Sequence, residues 1–213
     1  MSGAGNDFVA VEASRLPRGA SLPALARRLC DRRRGVGADG LLLIRRAPGG
    51  PELRYWNADG SVAFCANGSR CAAWLMHRLG WTGRRFAFKS SRGSIEAEIA
   101  GKERARIRMP QSRVLGLGLR LSAAGRKLAV HWLDTGAPHA VAEVSGLERF
   151  PVVEVGRALR SHRAFGRPGA NADFASFRPR GAGGARGPVV LLRTYERGVE
   201  EETLACGTGA AAA

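Results

Sequence analysis

The chain has 213 residues, 45% of them hydrophobic, enough for an ordinary core in one large domain or two small ones. No apolar run approaches the ~18 residues of a membrane helix, and the opening Met1-Ser2-Gly3-Ala4-Gly5-Asn6-Asp7 has neither the basic start nor the apolar stretch of a signal peptide, so a cytoplasmic protein with no membrane partner is expected. The formal net charge is +16, yet of the 34 basic residues only Lys89, Lys102 and Lys127 are lysine; the arginines are scattered through an Ala- and Gly-rich chain without the interleaved aromatics of an RNA-binding surface, and nucleic acid is not expected as a partner.

In chain order, Asp7 to Glu12 reads as a strand leaving a Gly-rich turn. Ser21 is a suitable N-cap and Pro23 fits a first helical turn. Leu22, Leu25, Ala26, Leu29 and Cys30 then fall on one helical face. The Arg32-Arg33-Arg34 run after it is expected to favour the negative end of the helix dipole. Gly35-Val36-Gly37-Ala38-Asp39-Gly40 ends this helix and precedes a strand, Leu41 to Ile44. That order, helix then loop then strand, is the reverse of a dinucleotide-binding loop. Pro48-Gly49-Gly50-Pro51 is a turn, and Leu53 to Trp56 is a strand stopped by Asn57-Ala58-Asp59-Gly60. A helix follows from Asn67 to Leu79, with Gly80 as its stop.

Strands near Phe86–Lys89, Ser94–Ile99 and Ala105–Met109 lead to Pro110-Gln111-Ser112, the expected boundary between halves 1–111 and 112–213. The second half offers strands near Leu128–Asp134 and His139–Val144, a helix near Val155–His162, and strands near Asp173–Phe177 and Val189–Tyr195. Arg178 to Pro188 reads as a Gly/Arg hairpin tip. Ala210 to Ala213 read as the first turn of a helix. Strands outnumber helices at hairpin-length spacing, which predicts an α+β fold with mixed or antiparallel sheets.

The chain has four cysteines, at 30, 65, 71 and 206. Their spacing forms no paired C-x-x-C units, so no zinc site or other metal is expected. Cys30 and Cys71 fall on helix faces and read as core. Cys65 and Cys206 begin a repeat. Cys65-Ala66-Asn67-Gly68 and Cys206-Gly207-Thr208-Gly209 each place a cysteine, a small residue, a polar residue and a glycine ahead of an Ala-rich helix start, 141 residues apart. Such internal similarity indicates two duplicated halves. A lone cysteine is more often core than catalytic, but a matched pair at two helix starts is different. Unused N–H groups and the positive end of the dipole favour thiolate, which is expected to bring each pKa down toward neutrality. The same donors can receive a ligand carboxylate. Two such thiols suit a 1,1-proton transfer, one removing an α-proton and the other returning a proton to the opposite face. No cofactor is needed, and the three lysines sit in no setting suggestive of a pyridoxal site.

The segments Gly3-Ala4-Gly5-Asn6-Asp7-Phe8, Gly35 to Gly40, Asn57-Ala58-Asp59-Gly60-Ser61, Cys65 to Cys71, Pro138-His139-Ala140-Val141, Asn171, Tyr195-Glu196-Arg197-Gly198 and Thr203 to Gly209, taken in order, resemble the diaminopimelate epimerase family along nearly the whole chain. The resemblance implies two pseudo-symmetric α/β domains, each a sheet wrapped around a central helix, and a small-molecule amino-acid substrate, diaminopimelate. It implies that Cys65 and Cys206 are base and acid, and that Asn67, Gly68, Gly207 and Thr208 meet the α-carboxylate through main-chain donors. Asn6, Asn57, Asn171, Glu196 and Arg197 would bind the substrate's polar ends, with His139 supporting the cysteines. Read without the resemblance, Asn57 and Asn171 are turn-formers or caps, and Glu196-Arg197 a solvated pair.

Three departures stand out. Ala66 replaces the family's glycine, and its methyl is expected to crowd the carboxylate. Ala137 replaces an asparagine ahead of Pro-His. Both ends are short against the family pattern, so the C-terminal half is expected to be truncated and Cys206 to lack its helix. A related two-cysteine racemase, such as the proline racemase-like or phenazine-pathway isomerase-like enzymes, and a non-catalytic remnant remain as alternatives. Oligomeric state is open, a homodimer being one option.

Overall fold

The chain turns back on itself at its start. Ala4 (φ 52°) and Gly5 (φ 96°) close a hairpin between β1 (Ser2–Gly3) and β2 (Asn6–Glu12). In the computed structural model, which describes residues 1–178 and 187–213, two units follow one another, Met1–Pro110 and Gln111–Ala213.

In the first unit, α1 (Leu22–Cys30) links β2 to β3 (Gly40–Ala47); a hairpin leads to β4 (Gly50–Asn57), and α2 (Ala66–Arg78) links that to β5 (Arg85–Ser90). The strands β6 (Gly93–Gly101) and β7 (Arg104–Ile107) complete a seven-stranded sheet in sequence order. β2/β3 and β4/β5 are its parallel pairs, and each is joined by a helix because parallel neighbours need a long crossover. The β3–β4 hairpin reverses strand direction between the crossovers, so two crossovers of the same hand must lie on opposite faces. The burial of β3 shows this. Leu41 and Leu43 pack with Ala26 and Cys30 of α1, while Leu42 and Ile44 pack with Ala72, Ala73 and Met76 of α2. α2 also gathers Phe8, Phe88, Ile95 and Ala97 from across the sheet, so the sheet wraps this helix.

The second unit repeats the plan. β8 (Arg113–Ala123), β9 (Arg126–Asp134) and β10 (Pro138–Glu143) form a meander; α3 (Val152–Arg160) crosses to β11 (Asn171–Arg178), parallel to β10. β12 (Val189–Glu196) and β13 (Glu201–Thr203) return antiparallel and lead into α4 (Gly207–Ala212). The six-stranded sheet has the order β13-β12-β11-β10-β9-β8. The order β-α-β-β-α of the first unit recurs in the second with one added strand, β13, ahead of the last helix, and both sheets are mixed. Ala172 and Phe174 of β11 pack with Val155 and Leu159 of α3. Asp173, on the other face, meets Gly209 of α4. Among the described residues no helix is long and apolar enough to cross a membrane.

Several local expectations change. β8 is a strand with no counterpart among the expected elements; its Val-Leu-Gly-Leu-Gly-Leu segment is interrupted by register shifts around Gly116 and is recruited by pairing with β9 rather than by its own propensity. α3 starts three residues early, after Pro151. Ser21 stands at the N-cap of α1 but makes no side-chain cap bond. Arg32 does not serve the α1 dipole; its guanidinium bridges Asp7 and Asp39. Most of the Gly/Arg hairpin tip expected at Arg178–Pro188 lies outside the described residues.

Candidate active site

Each repeat cysteine is the N-cap of a helix, and the two caps match closely. Cys65 has φ −127° and ψ 116°, and its sulfur accepts from Gly68 N–H at 3.4 Å. Cys206 has φ −116° and ψ 107°, and its sulfur accepts from Gly209 N–H at 3.3 Å. Sulfur therefore occupies the position that an Asp or Ser oxygen fills in an ordinary cap. The first turn of any helix also has N–H groups with no carbonyl inside the helix to receive them; here they belong to Ala66 and Asn67, and to Gly207 and Thr208. The helix expected to be missing at Cys206 is present over Gly207–Ala212.

Around Cys65 the polar residues form a chain. Asn67 Nδ2 donates to Asn6 Oδ1 at 2.8 Å, and Asn6 Nδ2 donates to Asp39 Oδ2 at 2.9 Å. Arg70 donates to Asn67 Oδ1. Asp39 and Asp7 are both held by Arg32, at 2.7 and 2.9 Å, and the Arg32 hydrogen bond holds the Asp7 carboxyl below its ordinary range. Asn6 and Asn67 are buried. Asn57 ends β4 and donates to Ser61 Oγ at 3.0 Å, closing the turn ahead of Cys65. Gly68 is packed so closely that a Cβ would fall 2.9 Å from Leu42 Cδ2. Ala66 does not crowd the helix start, because its methyl is part of the α2 core.

Around Cys206 the polar groups lie deeper. Thr208 Oγ1 is 3.3 Å from the sulfur, and the Thr208 carbonyl accepts from Thr135 Oγ1 at 2.7 Å. His139 and Asp173 are completely buried, with His139 Nδ1 2.6 Å from Asp173 Oδ2. Asn171 ties His139, the Pro138 carbonyl and the Arg197 N–H together. Glu196 ends β12 and Arg197 opens the turn after it, both half-buried rather than solvated, and Arg197 Nη1 donates to the Pro168 carbonyl. Ala137 closes the preceding turn, its carbonyl accepting from Thr135 N–H.

The Cys206 thiol departs from expectation. Burial pushes it well above the usual thiol range, and the charges of Asp173 and Glu196 push the same way; Thr208 and the Gly209 N–H lower it by less. Desolvation outweighs the start of a two-turn helix, so Cys206 rests as the thiol. Cys30 is buried under α1 and pushed up to about 11, chiefly by desolvation. Cys71 is likewise buried and raised, with no space between its sulfur and Gly3. Sequence reasoning missed Asp39, Asp173, Thr135 and Thr194; the available signal was an acidic residue inside or entering a strand that is otherwise apolar.

Each helix start thus carries a cysteine sulfur at its first turn. Comparison with known proteins gives the class first. The fold matches a hydroxyproline epimerase from Agrobacterium vitis, TM-score 0.72 at 15% identity, over 99% of this chain and 73% of that one. It also matches a phenazine biosynthesis protein of the PhzF family from Bacillus anthracis, TM-score 0.65 at 13% identity, over 100% of this chain and 74% of that one. The family follows from sequence. Residues 1–114 match the diaminopimelate epimerase family model. The chain is 37% identical to a diaminopimelate epimerase of Chlorobaculum tepidum, across all of this chain and 80% of that protein. It is 36% identical to one of Aquifex aeolicus, across all of this chain and 77% of that protein. The chain belongs to the diaminopimelate epimerase family.

Proposed function

We propose that the chain is an isomerase that interconverts LL- and meso-diaminopimelate, supplying lysine and peptidoglycan precursors in the cytoplasm, by proton transfer between Cys65 and Cys206 without a cofactor. The observation that carries this reading is the pair of cysteine caps with one geometry, each at a helix start able to receive a carboxylate. Cys65 as thiolate removes the α-proton and becomes the thiol. Cys206 enters as the thiol, gives its proton to the opposite face of the α-carbon, and leaves as thiolate. The configuration inverts, no electron is gained or lost, and the reverse reaction exchanges the roles.

The carbanion is the difficult species. Main-chain donors of Asn67, Gly207 and Thr208, with the Gly68 N–H shared between the Cys65 sulfur and the ligand, would take the enolate charge that develops on the α-carboxylate, an effect worth about 3 kcal/mol per well-placed donor. Asn6, Asn57, Asn171, Glu196 and Arg197 would bind the remaining ammonium and carboxylate groups, charge against charge and amide against either. His139 would support the Cys206 side. Burial holds Cys206 in the thiol form, the form in which it enters the turnover written above.

The test is turnover in D2O. Cys65→Ala and Cys206→Ala are each expected to abolish inversion coupled to α-deuterium incorporation, a loss of about a thousandfold or more. Full turnover by either single variant overturns the two-thiol mechanism, and an unsubstituted chain that turns over proline but not diaminopimelate moves the substrate to the related racemases.

A further inference from the structure

The deepest charged group in the second unit, Asp173, has no part in the chemistry above. It lies near the start of β11, fully buried, on the face that carries α4. Its hydrogen bonds fix the surrounding atoms one by one. The Arg197 N–H can only donate, so the Asn171 atom 2.8 Å from it is Oδ1. Nδ2 then faces the Pro138 carbonyl at 3.3 Å and His139 Nε2 at 3.2 Å. An amide NH2 can only donate, so Nε2 accepts and Nδ1 carries the ring hydrogen. That hydrogen goes to Asp173 Oδ2, 2.6 Å away. Asp173 Oδ1 receives the Thr194 hydroxyl at 2.7 Å, and a Cβ placed on Gly209 would overlap the same oxygen.

One carboxylate thus touches β10 through His139, β12 through Thr194, and α4 through its tightest backbone approach. We infer that Asp173 is a positioning residue for the Cys206 half of the site, orienting His139, setting how deeply the first turn of α4 seats, and keeping a negative charge beside the sulfur. The charged groups acting on that sulfur are Asp173 from β11 and Glu196 from β12. The helix itself adds only the Thr208 hydroxyl and the Gly209 N–H, and β10 adds His139 by way of Asp173. The catalytic consequence rests on the two-thiol reading; the effect on the sulfur does not.

Asp173→Asn separates charge from shape. The amide can turn its oxygen to His139 Nδ1–H and its NH2 to the Thr194 hydroxyl, which can rotate to accept. Asp173→Ala removes charge and bonds together. Alkylation of Cys206 against pH, read by mass spectrometry on its own peptide with the Cys65 peptide as internal reference, follows the charge. Both variants are expected to move the Cys206 midpoint down by about one pH unit or more and to leave Cys65 unchanged. The kcat for diaminopimelate should fall about tenfold in Asp173→Asn and about a hundredfold in Asp173→Ala, with KM within about twofold. The inference is overturned if a folded Asp173→Asn keeps both its midpoint and its kcat, or if the Cys65 and Cys206 profiles shift together. Failure of both variants to fold makes Asp173 scaffold only and overturns it as well. An unsubstituted chain that does not epimerise sinks the proposed function instead, and the alkylation profiles still decide the role of Asp173.

Discussion

The two half-sites share a backbone and differ in electrostatics. Both cysteines cap a helix in extended geometry and accept from the N–H three residues on. Both helices sit on the sheet face opposite the preceding crossover helix, over polar groups at the starts of two parallel strands. In the first unit those groups are Asn6 and Asp39, and the acid is neutralised at the surface by Arg32. In the second they are His139, Asn171 and Asp173, and the fully buried acid is met by a ring nitrogen and a hydroxyl. Burial raises the Cys206 thiol most, and the Asp173 carboxylate, acting on its surroundings at low dielectric, pushes it further the same way. The same cap geometry occurs twice, while the acid beneath each helix has a different partner.

The glycine three residues after each cysteine tests how rigid each side is. At Gly209 a methyl runs into an oxygen fixed by Thr194, on a carboxylate also held by His139. At Gly68 it meets the end of the Leu42 side chain at 2.9 Å and the Phe8 ring edge at 3.3 Å, and Leu42 can shift. Gly209→Ala is expected to destabilise the chain by about 2–3 kcal/mol, the upper range for overpacking. Gly68→Ala should cost about 1 kcal/mol or less, since alanine's helix propensity offsets part of the clash. Urea denaturation of both variants measures the difference, and equal costs would remove the asymmetry just described.

Much of this was legible in the sequence because the signals were local. The Cys-x-polar-Gly repeat gave both helix starts, and the alternation of elements gave the mixed sheets and the split near Pro110. What escaped depended on distant partners. β8 is a strand because β9 pairs with it. The direction of the Cys206 shift depends first on the burial of the sulfur and then on Asp173, 33 residues away, neither of which a helix-dipole argument contains. Arg32 looked like a dipole partner because α1 is adjacent in sequence; in space its acids come from β2 and from the loop before β3. Ala66 looked obstructive only because the direction of its methyl could not be read from its neighbours.

A smaller effect is expected at Glu196. It acts on the Cys206 sulfur in the same sense as Asp173 but less strongly, and both come after desolvation. Glu196→Gln removes a negative charge near the sulfur, so the thiolate becomes easier to form and the thiol is lost at lower pH. Alkylation of Cys206 at about pH 8 should accelerate a few-fold, less than in Asp173→Asn. A larger shift from Glu196→Gln than from Asp173→Asn would reverse the ranking of the two acids and move the control of this thiol from β11 to the end of β12.

The smallest effect belongs to the first unit, where the acid is paired in solvent. Arg32 is 58% exposed, and its partners Asp7 and Asp39 are 43% and 15% exposed. Solvent screening therefore limits the pairing to about 0.5–1 kcal/mol, and added salt should shrink it. The Asp7 carboxyl titrates below its ordinary value because of Arg32. A depressed carboxyl contributes stability above its unfolded-state value, and that contribution disappears as pH falls through the folded-state value. Arg32→Ala should thus be less stable than the unsubstituted chain at neutral pH, with the gap closing below about pH 4. Urea denaturation at low and high salt across that range checks it. A loss that persists in acid and in salt would assign the role of Arg32 to packing of its stem against Gly37, whose backbone lies alongside.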